Sequence, residues 1–288
     1  MKKGLLYVVA TPLGNLDDIS RRAVEILRDA DVIAAEDTRH SGVLLNHYAV
    51  STPCIAVHEH NEQQVMASLL TRLQQGEIIA LVSDAGTPLI SDPGFHLVRA
   101  ARQAGIAVVP VPGPSALICA LSVSGLPTDR FVFEGFLPAR SGQRRRSLQL
   151  LSGETRTLIF YEAPHRIMKT LQDMAAIFGA DRQAVIAREM TKRFETVYSG
   201  TLAGLHTQLD SGPEHIKGEF VILVHGAREQ EHAGDSRLEP VLAILLDELP
   251  LKQAVSLAAR ITGARKNEAY EMALDIEKRG KRKETREK

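Results

Sequence analysis

Two short segments concentrate groups that could move a proton or orient an alcohol. "AEDTRH" (35–40) carries Glu36, Asp37 and Arg39, and "HEHNE" (58–62) carries His58, Glu59, His60 and Asn61, each just after an apolar run. A carboxylate or imidazole at such a place can accept the proton of a hydroxyl as it attacks, while Arg39 or Asn61 orients a sugar or phosphate. General-base assistance contributes on the order of 10²–10⁴-fold, so positioning must supply much of the rest. His58 and His60 also invite a metal, but the spacing offers no third ligand and the expectation is no metal site. Asp37 and Arg39 have a plainer alternative, pairing with each other or capping a helix.

Three further segments are rich in glycine and proline: "ATPLGN" (10–15), "SDAGTPLISDPG" (83–94) and "PGPSA" (112–116). A phosphate cradle needs several convergent backbone N–H groups, and proline has none. Pro12, Pro88, Pro93, Pro112 and Pro114 therefore argue against a pyrophosphate site. Rigid, partly apolar walls with a few carbonyl, hydroxyl and carboxylate oxygens suit a nucleoside-like ligand without phosphate. S-adenosylmethionine fits that description, having an adenosine, an amino-acid tail and a sulfonium.

The elements that must position these groups alternate. "LLYVV" (5–9), "DVIAA" (31–35), "CIAV" (54–57), "IIALV" (78–82) and "IAVVPV" (106–111) read as strands separated by helical patterns. Such a pattern implies a mostly parallel sheet in an α/β domain, with ligand loops at the carboxyl ends of the strands. Asp17 and Asp18 are expected to open the first helix, favoured by its dipole. After "SGLPTD" (124–129) the pattern restarts with "RFVFEGF", "TLIFYE", "AVIAREM", "FETVYSG" and "FVILVHG". Consecutive strands without a helix between them indicate a mixed sheet in a second α/β domain. The polar "AREQEHAGDSR" (227–237) reads as a linker. Beyond it lie an amphipathic stretch at 238–249 and two short helices broken at Gly263, the outline of a helix-turn-helix or of a plain helical hairpin. The expected domains are 1–123, 124–226 and 238–288.

The totals are those of an ordinary globular protein, with 288 residues, 44% apolar and 24% charged. The 35 basic and 35 acidic residues cancel, so net charge points to no partner; distribution says more. Arg140, Arg144, Arg145 and Arg146 have no acidic neighbour between 137 and 151, and the tail from Lys278, with Lys281, Arg282 and Lys283, is strongly basic. Such runs are solvated surface or nucleic-acid contacts. Cys54 and Cys119 read as buried thiols of a reduced compartment. No apolar stretch approaches the roughly 18 residues of a membrane span, and the start lacks a signal-peptide pattern, so a cytoplasmic location is expected.

"TPLGNLDD" (11–18), "AEDTR", "HEHNE", "LVSDAGTPLISDPG", "PVPGPSA", "EGFLP" (134–138) and "YEAPHR" (161–166), in this order and spacing, resemble one family. It is that of the bacterial 16S ribosomal RNA cytidine 2′-O-methyltransferases, in the tetrapyrrole-methylase superfamily. The resemblance covers about Leu5 to Gly226, and the last helices resemble the helix-turn-helix appendage of this subfamily. It implies two α/β domains enclosing S-adenosylmethionine in the cleft between them, and a homodimer. The cofactor would be held by Pro12 and Leu13, by Ser83, Asp84, Ala85, Gly86 and Thr87, and by Ser115 and Ala116. From the second domain, Tyr161, Met190 and the strand start Gly218, Glu219 and Phe220 would enclose the adenine. The substrate would be 16S ribosomal RNA or the assembled small subunit. The proton acceptor stays open among Glu36, Asp37, His58, Glu59 and His60, and His165 and Arg166 are structural or substrate-facing. Two other readings remain: methylation of a tetrapyrrole or modified protein side chain, and a non-catalytic RNA-binding factor. The "HEHNE" block and the basic arm favour RNA.

Overall fold

A computed structural model describes residues 4–58, 62–212, 214–227 and 238–284. Residues Met1–Ala227 form one compact unit and Arg228–Lys288 a second.

The first unit contains two five-stranded sheets. Strands β1 (Leu5–Val9), β2 (Val32–Ala35), β3 (Cys54–Ala56), β4 (Ile78–Val82) and β5 (Ala107–Val111) form the first, in the order β3-β2-β4-β1-β5. Every pairing in it is parallel. Successive residues of a strand point to opposite faces, so β4 sends Ala80 and Val82 one way and Ile79 and Leu81 the other. Helices α1 (Arg21–Asp29) and α2 (Thr38–His47) cover the first face with Leu27 and Leu44. Helices α3 (Glu62–Gln74) and α4 (Phe95–Gln103) cover the second with Leu69 and Leu97. Burial on both faces is why these strands read as unbroken apolar runs.

Asp17 and Asp18 do not begin α1. They form a 3-10 turn at Leu16–Asp18, where the Asn15 side chain accepts from Asp17 N, and α1 starts after Ser20, which accepts from Ala23 N. Ser20 supplies the cap that the aspartates were expected to provide. The cysteines are also less enclosed than expected, since Cys54 and Cys119 are only part-buried.

Helix α5 (Ala116–Ser124) leaves the first sheet and packs Leu117, Ala120 and Leu121 on the second. That sheet comprises β6 (Phe131–Phe136), β7 (Thr157–Glu162), β8 (Gln183–Arg188), β9 (Thr196–Thr201) and β10 (Phe220–Val224). Its order is β6-β7-β10-β8-β9. β6 and β7 run parallel and the other pairings are antiparallel, so the sheet is mixed as expected, but only β8 and β9 follow one another with no helix between them; α6 makes the crossover between the parallel pair. Helices α6 (Ser141–Leu150), α7 (Ile167–Phe178) and α8 (Leu202–Asp210) cover its far face around Phe160 and Ile222.

The second unit is helical: α9 (Leu238–Glu248), α10 (Leu251–Thr262) and α11 (Lys266–Glu284). Leu238, Leu242, Val255, Ala258, Ala269 and Ala273 form its core. Gly263, at φ +76°, closes α10 as the sequence indicated, but α11 runs for 19 residues and is not short. Among the described residues, no helix is long and apolar enough to cross a membrane.

Candidate functional site

β1 lies between β4 and β5, so the loops following these three strands emerge side by side. They are joined to one another by hydrogen bonds. Thr11 N donates to the Gly86 carbonyl at 2.9 Å, and Gly86 N donates back to Thr11 at 3.0 Å. Thr11 Oγ1 donates to the Ser83 carbonyl at 3.1 Å, and Thr87 Oγ1 to the Pro114 carbonyl at 3.0 Å. Gly86 adopts φ +84°, and a Cβ there would stand 3.2 Å from Leu13 Cδ2, so both backbone and space select glycine.

These loops face the second sheet across a cavity of about 330 Å³. Leu13, Asp84, Ala85, Gly86 and Thr87 line it from the first half, with Ser115 and Ala116 at the start of α5. Tyr161, Met190, Glu219 and Phe220 line it from the second. The Tyr161 hydroxyl accepts from Leu117 N at 3.2 Å, and its ring meets the edges of Phe133 and Phe136 at 4.9 and 5.6 Å. Burial pushes that phenol up to about 12, so Tyr161 is a neutral wall.

Three residues expected at the cavity stand elsewhere. Pro12 and Ser83 line a neighbouring cavity instead. Gly218 does not line the first cavity: at φ +93°, a Cβ would fall 2.4 Å from Glu189 Cγ, so the glycine lets Glu189 pack closely. Sequence reasoning missed Ile90, Ser91 and Asp92, which belong to the quoted "PLISDPG", and Phe136 of "EGFLP". It also missed Glu162, Ala163 and Pro164 within "YEAPHR". Each lies within a motif already quoted, so membership of the motif was the available signal.

The electrostatics of the cavity are one-sided. Among the described residues no Lys, Arg or His lines it, whereas Glu36, Asp84, Asp92, Glu162 and Glu219 do. Asp84 Oδ1 accepts from Asp37 N at 3.0 Å, and Glu36 Oε2 accepts from Asp84 N at 3.4 Å. Glu162 accepts from Thr170 Oγ1 at 2.6 Å and Ala163 N at 2.8 Å, with Arg166 Nε 3.0 Å away. Arg166 also donates to the Leu137 carbonyl, so it is structural, while His165 is exposed. Glu219 lies 3.0 Å from Lys192 Nζ. Asp92 has its carboxyl pushed up to about 6, chiefly by burial. A hydrogen bond with the Ser83 side chain opposes that rise, and the neighbouring charges of Glu36 and Asp84 add to it.

The other proton-transfer candidates separate. Glu36 lines the cavity, but Asp37 caps α2 by accepting from Arg39 N at 2.8 Å. Its carboxylate also binds the Arg39 guanidinium at 2.8 Å, which holds Asp37 well below the usual carboxylate range. Asp37 and Arg39 thus satisfy each other, and neither lines the cavity. His58 is exposed and away from it, and Glu59, His60 and Asn61 lie outside the described residues. Among the described residues no group of His, Cys, Asp and Glu could hold a metal.

The basic arm is split as well. Arg140, Arg145 and Arg146 are exposed at and along α6. Arg144, expected to contact RNA, is only 3% exposed and turns inward to Asp173 at 2.7 Å, also donating to the Ala139 carbonyl. Its guanidinium completes an interior ion pair and is not offered to a partner. Lys281, Arg282 and Lys283 fall on the end of α11, with side chains outside the described residues.

A family model described as tetrapyrrole (corrin/porphyrin) methylases matches residues 5–206, and one described as the RsmI C-terminal HTH domain matches residues 232–277. A protein of Pseudomonas aeruginosa named ribosomal RNA small subunit methyltransferase I is 57% identical over 276 residues, covering 95% of this chain and 98% of its own. The protein of that name from Escherichia coli O157:H7 is 52% identical over 273 residues, covering 95% and 96%. A crystal structure of uroporphyrin-III C-methyl transferase from Thermus thermophilus, complexed with S-adenyl homocysteine, superposes with a TM-score of 0.54 at 17% identity. It covers 76% of this chain and 97% of that one, a likeness of fold. With motifs, fold and cavity in agreement, the chain belongs to the tetrapyrrole (corrin/porphyrin) methylases and, among them, to the family of ribosomal RNA small subunit methyltransferase I.

Proposed function

We propose that the protein is an S-adenosylmethionine-dependent methyltransferase of small-subunit ribosomal RNA, acting on the 2′-hydroxyl of a cytidine. The observation that carries the cofactor reading is the charge of the cavity, which is lined by carboxylates and by no basic side chain among the described residues. Such a lining repels a pyrophosphate and favours a cation with a sulfonium and an ammonium group. The residues fit it in shape as well as charge. Tyr161, Phe136, Met190 and Phe220 offer apolar faces to an adenine, and Asp84 with Ser115 offers oxygen atoms to the polar end. When bound, the group supplies an electrophilic methyl.

The chain's own residues then have separate tasks. The bonded loops at Thr11, Gly86, Thr87 and Pro114 fix the wall against which the acceptor is aligned, which is where positioning contributes most. A ribose hydroxyl must lose its proton as the new carbon–oxygen bond forms. Asp92 is the carboxylate best suited to take it: it is hydrogen-bonded to the Ser83 side chain, whereas Asp84, Glu36 and Glu162 accept from backbone N–H groups, and a value of about 6 is matched to neutral pH. Glu36 and Asp84, beside it, keep its proton affinity up.

Exposed Arg140, Arg145 and Arg146 support phosphate contacts, which add affinity and salt dependence but not base choice. Exposed Ile118 and Val123 on α5 support a homodimer, which sedimentation can check. An RNA substrate would place the protein in the cytoplasm. The decisive experiment supplies methyl-labelled cofactor with small ribosomal subunits, naked ribosomal RNA and a tetrapyrrole in parallel. Label in an alkali-resistant linkage after a cytidine is expected; label on the tetrapyrrole, or on none of the three, overturns the reading.

A further inference from the structure

A second cavity, of about 570 Å³, adjoins the first and shares Leu13, Asp84, Ala85 and Glu219 with it as a common wall. Its floor is apolar and belongs to the first half: Leu27 of α1, Leu44 and Leu45 of α2, and Val82 of β4, all buried. Lys192 borders it from the second half. A Cβ on Gly14 would fall 2.3 Å from Lys192 Cγ, so the glycine lets the lysine stem lie over the loop. The Lys192 ammonium is itself held by Glu189 and Glu219 at 3.1 and 3.0 Å.

One polar group among the residues lining this cavity is unmatched. Ser41, on α2, is 6% exposed, and its hydroxyl has no hydrogen-bond partner. Other helical hydroxyls find partners: Thr71, Thr207 and Thr262 donate to the carbonyl four residues back, Ser122 and Ser124 to the one three back, and Thr170 to Glu162. Ser41 does not. By contrast, the Thr11 and Ser83 hydroxyls, on residues lining the same cavity, reach the carbonyls of Ser83 and Ala85. A buried hydroxyl without a partner is unfavourable in the free protein and gains most from a ligand that supplies one.

We infer that this second cavity receives the base of the acceptor nucleotide, a pyrimidine of an unstacked single strand, with the Ser41 hydroxyl, enclosed in the free protein, turning about its χ1 bond to complete a hydrogen bond to its edge. The inference rests on the first cavity being the cofactor site. An apolar floor suits the face of a flat ring, and one unmatched hydroxyl suits its polar edge. The ribose of a base seated there falls at the common wall of Leu13, Asp84 and Ala85, beside the first cavity. In-line transfer requires the acceptor oxygen to face the methyl from an adjoining space, which two cavities with one wall provide.

The test uses the full chain and separates the two sites. Affinity for S-adenosylhomocysteine is measured by calorimetry, KM and kcat with small ribosomal subunits, and folding by thermal melting, for the wild type, Ser41→Ala and Leu44→Phe. Ser41→Ala should raise KM about fivefold, the worth of one neutral hydrogen bond. It should melt no lower than the wild type and bind S-adenosylhomocysteine unchanged. Leu44→Phe, which fills the floor, should raise KM at least as far with the same cofactor affinity. An unchanged KM in Ser41→Ala overturns the inference, as does a parallel loss of cofactor affinity in both variants. Failure of the wild type to bind S-adenosylhomocysteine or to methylate the subunits would refute the cofactor reading itself, a separate outcome.

Discussion

Replacing Asp92 by asparagine should stabilise the protein at neutral pH and cripple it as a catalyst. The carboxyl is raised from 3.8 to about 6, mainly by burial and then by Glu36 and Asp84, against the opposing bond from Ser83. At about 1.4 kcal/mol per unit, a fully enclosed group would cost ~3 kcal/mol in its ionised form. Asp92 is only part-buried, and solvent screening reduces this to roughly 1–2 kcal/mol. The sign follows from proton counts. Between pH 3.8 and about 6 the folded chain holds a proton at this site that the unfolded chain has released, so stability falls as pH rises through that window. The penalty is absent below it and complete above it. Asp92→Asn removes the ionisation, so its advantage should be near zero at about pH 4 and reach about 1–2 kcal/mol at about pH 7.5. For a unit of this size that is a rise in melting temperature of roughly 2–6 °C. Urea denaturation at both pH values measures it. Equal stability at the higher pH, or the same gain at both, would refute the electrostatic account. Turnover of the variant should drop by about 10² or more, and the wild-type rate at about pH 5 should be roughly a tenth of its plateau.

Other perturbations report on neighbouring features. Arg144→Ala should cost about 3–5 kcal/mol in chemical denaturation, because Asp173 is left buried without its partner. Arg145→Ala, exposed and 3.9 Å from the same carboxylate, should fall within about 0.5 kcal/mol of the wild type. Gly218→Ala forces a side chain into φ +93° and onto Glu189, so it should destabilise the first unit by about 1–3 kcal/mol and weaken S-adenosylhomocysteine binding in calorimetry. Binding of the cationic S-adenosylmethionine near pH 6 should release a proton from Asp92. Titration in buffers of different ionisation enthalpy should detect it, with less release for uncharged S-adenosylhomocysteine.

The sheets were legible because strands covered on both faces are apolar throughout, and the ligand loops because glycine and proline mark tight turns at strand ends. The mixed character of the second sheet was expected from strands without helices between them, yet only β8 and β9 meet that description, and the helical patterns of α6 and α8 were under-read. What escaped depends on partners distant in sequence. Arg144 sits in a run that looks solvated, and its role is set by Asp173, 29 residues later. The acidity of the cavity was legible only in part: carboxylate oxygens were expected in the loops, with Glu36, Asp84 and Glu219 named, but Asp92 and Glu162 join them only once both sheets are formed. Asp17 and Asp18 misled because either can open a helix, whereas Ser20 has the geometry that does.

β10 is the last strand of its sheet in the chain, yet it lies at the centre, between β7 and β8. A nascent chain therefore carries β6 and β7 as one pair and β8 and β9 as another, with no strand pairing to join them until Phe220–Val224 has been synthesised. The family match ending at residue 206 stops short of this strand, so a fragment cut there would lose the centre of the sheet and not merely an edge. Glu219 and Phe220, which close the cavity, arrive with the same segment. The capacity to hold a ligand thus appears at one late step of synthesis, and a ribosome stalled before it presents two separate strand pairs with the inner edges of β7 and β8 open, the state most prone to mispairing.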